Sequence, residues 1–281
     1  MWHFIERWFV ETCAVYALLL ALYLGLGLVL SRVFDTRRPR LQARDPDPQL
    51  VRRDFRQSVR SLFSIAAFFA LGSVLQRSGF GFAAPRPGAA SALAGLFASL
   101  FVFDTWFYWG HRLLHTRPLF KRIHGWHHVT KTPSVWSNNS DSFPDNCVLQ
   151  SYWLFAHFLF PVSAYVLIAH KIFDQVTGMI GHSGHEYTSG RTEVYPFPMV
   201  AVLFHDQHHL FSRYNYATHF SLWDRWMGTL HPSYERDLKA LLAERSRSAL
   251  SAPRADRARP GTRGETPARA LRSRARSSAS R

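Results

Sequence analysis

The chain has 281 residues, 47% of them hydrophobic and 15% aromatic, with a formal net charge of +15. That apolar content excludes a disordered polar chain, and two cysteines without a C-x-x-C exclude a thiolate metal cluster. No recognisable nucleic-acid motif accompanies the positive charge, so nucleic acid is not an expected partner.

In chain order, Thr12 to Ser31 ("TCAVYALLLALYLGLGLVLS") is long enough to cross a hydrocarbon core of roughly 30 Å as a helix. Glu6 and Glu11 occupy what would be the basic region of a signal peptide, and no small-x-small cleavage site follows. A retained membrane helix is therefore expected. Ser61 to Gln76 is a shorter second span. Pro87 to Phe103, continuing through "DTWFYWG" to Gly110, is a third, with Trp106, Tyr108 and Trp109 placed as packing or interface aromatics. Cys147 to His170, running on to Gly181, is a fourth apolar stretch. It is one span or a hairpin turning near 159–164, and its length suits a shallow hairpin better. Cys13 and Cys147 both lie in apolar segments and are expected to be buried and inert.

Residues 32–60 are rich in Arg, whereas the link between the second and third spans is not. The excess of positive charge on cytoplasmic loops places residues 32–60, and with them 111–146, on the cytoplasmic side. The last forty or so residues combine Arg, Ala, Ser and Pro with few large apolar side chains, which predicts a basic disordered tail. Attraction to anionic lipid headgroups is a second reading of that tail.

Directly after the third span comes "HRLLHTRPLFKRIHGWHH". His111 and His115 are four apart, which is one face of a helix, and His124, His127 and His128 stand at i, i+3 and i+4, again one face. "HDQHH" repeats the second spacing with His205, His208 and His209, and "GHSGHE" adds His182 and His185. Ten of the fifteen histidines thus fall into clusters with helical spacings beside membrane segments. One zinc takes about four ligands, so ten imidazoles exceed one ion. Two six-coordinate ions offer about twelve positions and leave some open, which suits an imidazole-bound redox metal that activates oxygen. Because imidazole carries no charge to balance the metals, nearby carboxylates should orient the rings through their distal N–H groups. Asp104, Asp141, Glu186, Asp206 and Asp224 are the carboxylates within reach in sequence. His157 and His170 lie in or at the end of the fourth apolar stretch, where an ionisable group is costly, so a binding-pocket role competes with a packing one. His3, His219 and His231 read as structural or surface residues, and Trp126 as a packing aromatic.

"DTWFYWGHRLLH", "HGWHH" and "FHDQHHLFSRYNYATHFSLWDRWMGTL" resemble the fatty acid hydroxylase/sterol desaturase superfamily. Its three histidine boxes are present, as is its ending of Asn-Tyr, Trp-Asp and Gly-Thr, here Asn215–Tyr216, Trp223–Asp224 and Gly228–Thr229. "HSG" at 182–184 followed by "FHDQHH" is similar to the C-4 methyl sterol oxidase branch. The resemblance implies an all-α fold: a polytopic membrane helical bundle with a cytoplasmic, His-rich, di-metal helical cap. It implies a di-iron, O2-dependent oxidoreductase that hydroxylates or desaturates a sterol or fatty-acyl lipid. The metal ligands it implies are His111, His115, His124, His127, His128, His182, His205, His208 and His209, with His185 matched less securely. The organisation that follows is N-terminal membrane helices with a basic loop over 1–94, a catalytic domain over 95–232 and a basic tail over 233–281. One departure stands out: many members carry His-Pro-x-Glu after the second box, whereas here the nearest match is "FPDN" at 143–146.

The chain carries no flavin or nicotinamide glycine fingerprint and no haem motif. Electrons are therefore expected from a separate donor, a ferredoxin or cytochrome with its reductase. Arg-over-Lys and Ala-rich usage suggests a bacterial inner membrane, with the endoplasmic reticulum as the eukaryotic alternative. Competing readings are an alkane-, ether-lipid- or carotenoid-type di-iron monooxygenase, a His-rich membrane metal transporter and a one-zinc hydrolase.

Overall fold

The structure, a computed structural model, describes residues 2–34, 40–186 and 198–251. Helix α1 runs Trp2–Phe34, α2 Pro48–Arg77 and α3 Ala89–Leu114, and all three are long and apolar enough to cross a membrane. Each exceeds the apolar run that marks it in the sequence, because polar flanks continue the same helix. In α2 the start is set by Asp47, whose side chain accepts from the Gln49 N–H at 2.8 Å, with Pro48 in the first turn. Its first half is Arg-rich and its second half apolar.

The fourth apolar stretch is not one span. It forms α5 (Phe143–Leu149), α6 (Tyr152–Leu159) and α7 (Ala164–Gly181), and the break between α6 and α7 contains Pro161. At about 1.5 Å per residue, α6 is about 12 Å long and cannot cross. The hairpin turns where Gln76 Nε2 donates to the Val162 carbonyl (2.8 Å) and the Phe82 N–H to the His157 carbonyl (2.8 Å). Around it α1, α2, α3, α6 and α7 close one apolar core containing Tyr23, Leu62, Phe69, Phe103, Trp153 and Leu167. Cys13 and Cys147 face outward and are exposed, contrary to the buried positions expected, because each occupies the outer side of its helix.

Short elements complete the membrane-distal part: α4 (Arg117–Arg122), 3-10 turns at His124–Val129 and Val135–Ser137, α8 (Val202–Phe211), α9 (Leu222–Trp226) and α10 (Tyr234–Ser251). Helix α10 corrects the tail expected from residue 233. Tyr234, Leu238, Leu241 and Leu242 recur at helical spacing and are buried against Leu203 and Phe204 of α8 in a second core, so this stretch has an apolar stripe to bury. The rest of the expected tail, 252–281, lies outside the described residues.

Candidate metal centre

Nine of the ten box and "HSG" histidines converge in two groups. His111, His115, His124, His128 and His208 bring one ring nitrogen each within 4.8 Å of one another, and His127, His182, His205 and His209 do the same. The boxes are split between the groups, not kept whole. In the 3-10 turn, His124 and His128 join the first group while His127 joins the second; in α8, His208 joins the first and His205 and His209 the second. Consecutive histidines point about 100–120° apart on a helix, so a pair such as His127–His128 must serve two neighbouring sites. His185 does not join either group. It follows Gly184, whose φ of +73° turns the chain away after α7, and its Nε2 lies 3.4 Å from Arg40 Nη1. His157, His170, His219, His231 and His3 also stand outside the two groups.

Six of the nine inward nitrogens are aimed by what holds the other side of the ring. Nδ1 of His111 donates to the Tyr216 carbonyl (2.7 Å), His208 to Tyr214 (2.6 Å), His209 to Thr130 (2.9 Å) and His182 to Gly178 (2.9 Å). His124 Nδ1 donates to Asp145 Oδ1 at 3.0 Å, and His127 Nδ1 lies 3.2 Å from Asp141 Oδ1. For His111 and His124 those partners leave both Nε2 atoms as bare lone pairs, and for His182, His208 and His209 they do the same on one side of each contact. Yet Nε2 of His111 stands 3.0 Å from that of His124, His208 3.1 Å from His128, and His205 2.9 Å from His182 and 3.0 Å from His209. In the His111–His124 pair two lone pairs face each other at that distance, which repels unless a cation lies between them. Two ligands at right angles on one ion, each about 2.1 Å from it, stand about 3.0 Å apart. The donor set therefore fits two imidazole-bound metal ions.

Burial keeps these rings neutral, as metal ligands must be. For His124, His128, His205, His208 and His209 burial first, and then the neighbouring imidazoles, hold the pKa well below its usual value. His115 is pushed down to about 2 by burial and then by His111, and His182 to about 3 by burial and then by His127. His127 runs the other way: burial would lower it, but the Asp141 carboxylate raises it.

Of the carboxylates expected to help, Asp141 meets a box histidine directly. Asp224 acts one step further out, accepting from the Tyr216 and Ala217 N–H groups (2.9 and 2.8 Å) and from Thr229 Oγ1 (2.7 Å). It thereby fixes the turn whose Tyr216 carbonyl holds His111. Asn215 sits at φ +60°, a conformation Asn tolerates better than most residues, and its side chain ties the Phe204 carbonyl to the His231 N–H. The Asn-Tyr, Trp-Asp and Gly-Thr ending is thus the scaffold that aims His111. Asp104 accepts from the backbone N–H groups of Thr218, His219 and Phe220 (3.3, 2.8 and 3.2 Å), steadying the adjacent loop. Glu186 accepts from the Leu203 N–H, and Asp206, pushed up to about 7 by burial, accepts from Gln42 Nε2.

Asp145 was missed in the sequence. It lies in the "FPDN" departure, and its signal was the capping pattern Ser142-x-x-Asp145, which the structure forms at the start of α5. One carboxylate oxygen caps the helix through Ser142 and the other takes His124. Among the aromatics, Tyr108 is buried with its hydroxyl 2.9 Å from Thr229 Oγ1 and Trp106 donates to the Val148 carbonyl, whereas Trp109 and Trp126 are exposed.

Residues 96–229 match the fatty acid hydroxylase family, so the resemblance read from the boxes holds over that segment. Lathosterol oxidase of Mus musculus is 34% identical over 143 residues, 48% of this chain and 44% of that protein. Methylsterol monooxygenase 1 of Gallus gallus is 30% identical over 137 residues, covering 49% and 46%. The Delta(7)-sterol 5(6)-desaturase of Leptosphaeria maculans is 30% identical over 153 residues, covering 52% and 40%. The chain spans less than half the length of each of these relatives. No solved structure matches it.

Proposed function

We propose that this chain, whose central segment is of the fatty acid hydroxylase type, is a membrane-bound di-iron, O2-dependent oxidoreductase acting on a C–H bond of a lipid. The observation that carries the proposal is the pair of histidine groups, five and four rings converging at ligand spacing. Iron in both groups would supply the oxygen activation and electron-transfer chemistry that the side chains lack. His111, His115, His124, His128 and His208 would hold one ion, and His127, His182, His205 and His209 the other.

The chain's own part is orientation and enclosure. Backbone carbonyls and two aspartates fix which nitrogen of six of the rings faces inward, and burial keeps bulk water from the groups. The three long apolar helices keep the site beside a lipid still in the bilayer. The relatives' names put a sterol first among substrates to test, with fatty-acyl lipids second, and they support both oxygen insertion and desaturation as outcomes. Electrons would come from a separate ferredoxin or cytochrome with its reductase. We place the histidine groups on the cytoplasmic side, following the Arg-rich segment 32–60.

The test is comparative lipidomics of cells with the gene, without it, and with His208→Ala. One hydroxylated or unsaturated lipid absent from both the knockout and the variant is the expected result. Identical lipids in all three would overturn the reading, as would an iron-loaded protein that consumes no O2 with any lipid and donor. Iron at two per chain separates this reading from a one-zinc hydrolase and from a metal transporter.

A further inference from the structure

We propose that α1, α2 and the start of α5 form a binding site for an anionic phospholipid of the bilayer, separate from the position where a reacting lipid would sit. The site is a groove of about 480 Å³ between α1 and α2, with Phe9, Phe63, Phe68 and Phe143 among its walls. It lies between two helices long and apolar enough to cross a membrane, so its apolar part faces hydrocarbon. Its polar end carries Gln57 and Arg60, and Arg60 is the last residue before the apolar run from Ser61 to Gln76.

The charge continues beyond the groove. Arg52, Arg56 and Arg60 stand at i, i+4 and i+8 on α2, all three exposed, and none forms an ion pair with any described residue. A second hollow of about 220 Å³ adjoins this stripe, with Arg52 and Arg56 beside Phe55 and Trp136. Guanidinium groups at a membrane boundary, one helical turn apart, suit a phosphate. An apolar groove starting at the last of them suits the acyl chain attached to it. That continuity identifies a whole phospholipid, not free phosphate.

The occupant stands too far back to react. At that same polar end, Gln57 Nε2 donates to the Asp141 carbonyl (2.7 Å), and Asp141 Oδ1 meets the Nδ1 side of His127. The ring of His127 therefore separates the groove from the nitrogens of its group, whereas reacting atoms must approach to about 3–3.5 Å. A bound lipid would instead exclude water from the wall that holds Asp141.

The test needs neither metal nor turnover, so its failure is distinct from failure of the proposed function. The full chain is reconstituted in nanodiscs of equal phosphatidylglycerol and phosphatidylcholine with matched acyl chains, and retained lipid is read by native mass spectrometry. One phosphatidylglycerol per chain, enriched over phosphatidylcholine, is expected. Arg56→Gln with Arg60→Gln, both at exposed positions, should remove the enrichment at about fivefold per arginine. Ser64→Phe, which puts a ring into the groove, should weaken retention of both lipids, and glycerol phosphate, which has no chains, should not displace the bound lipid. Equal retention of the two lipids, enrichment surviving the double arginine variant, or displacement by glycerol phosphate would each overturn the assignment. An unchanged circular dichroism spectrum shows that a variant has folded.

Discussion

Replacing Asp145 by Asn keeps the shape of the side chain and removes its charge. In the native chain, Asp145 is fully buried, with Oδ1 3.0 Å from His124 Nδ1 and Oδ2 accepting from the Ser142 N–H and hydroxyl (3.1 and 2.8 Å). Asn can still accept from His124 through its amide oxygen, but its NH2 then faces the Ser142 N–H, donor against donor. A group that orients a metal-bound histidine is worth about 10–100-fold in metal affinity, or about 1.4–2.8 kcal/mol. An independent figure, about 1.5–3 kcal/mol for a hydrogen bond to a charged group, agrees. The assay is competition with a chelator, reading iron retained per chain, for Asp145→Asn, Asp145→Ala and Ser142→Ala. The two aspartate variants should release iron at 10–100-fold lower chelator, the Ala variant also losing about 1 kcal/mol of helix cap. Ser142→Ala should lose the cap alone and hold iron as the native chain does. Native-like retention in Asp145→Asn, or equal release from Ser142→Ala, would refute the argument that Asp145 acts on the metal through His124.

Three further outcomes follow from the same geometry. His208→Ala and His127→Ala should each lose about one of two irons, because they fall in different groups, whereas His185→Ala should keep both; metal analysis per chain checks this. Gly27→Ala places a Cβ 2.4 Å from the Trp136 ring and should cost about 1–3 kcal/mol by overpacking, whereas Gly25→Ala meets nothing within 4 Å and should be neutral or stabilising; thermal unfolding in detergent separates them. Leu242→Ala removes a side chain 1% exposed in α10 and should cost about 2–5 kcal/mol in the same measurement, while a disordered segment there would show no change.

The sequence by itself determined which membrane-length helices and which histidine donors the chain has. Membrane-length apolar runs and histidines at spacings of three and four marked three helices and nine of the converging rings, because burial in a bilayer and shared helix faces both depend on local periodicity. The hairpin within 147–181 was also legible, since Pro161 and the short α6 are local features. What only the tertiary structure decided is how the boxes are divided. A box read as one helical face is split between two groups, because ligands to one ion must point at one place in space whatever their order in the chain. His185 drops out for the same reason: two residues beyond His182, a left-handed glycine turns it toward Arg40. Asp145, hidden in a short capping pattern, reaches His124 only because the fold brings the start of α5 against the 3-10 turn at His124–Val129. The order of the chain fixes which donors exist, and the packing of distant helices fixes which of them meet.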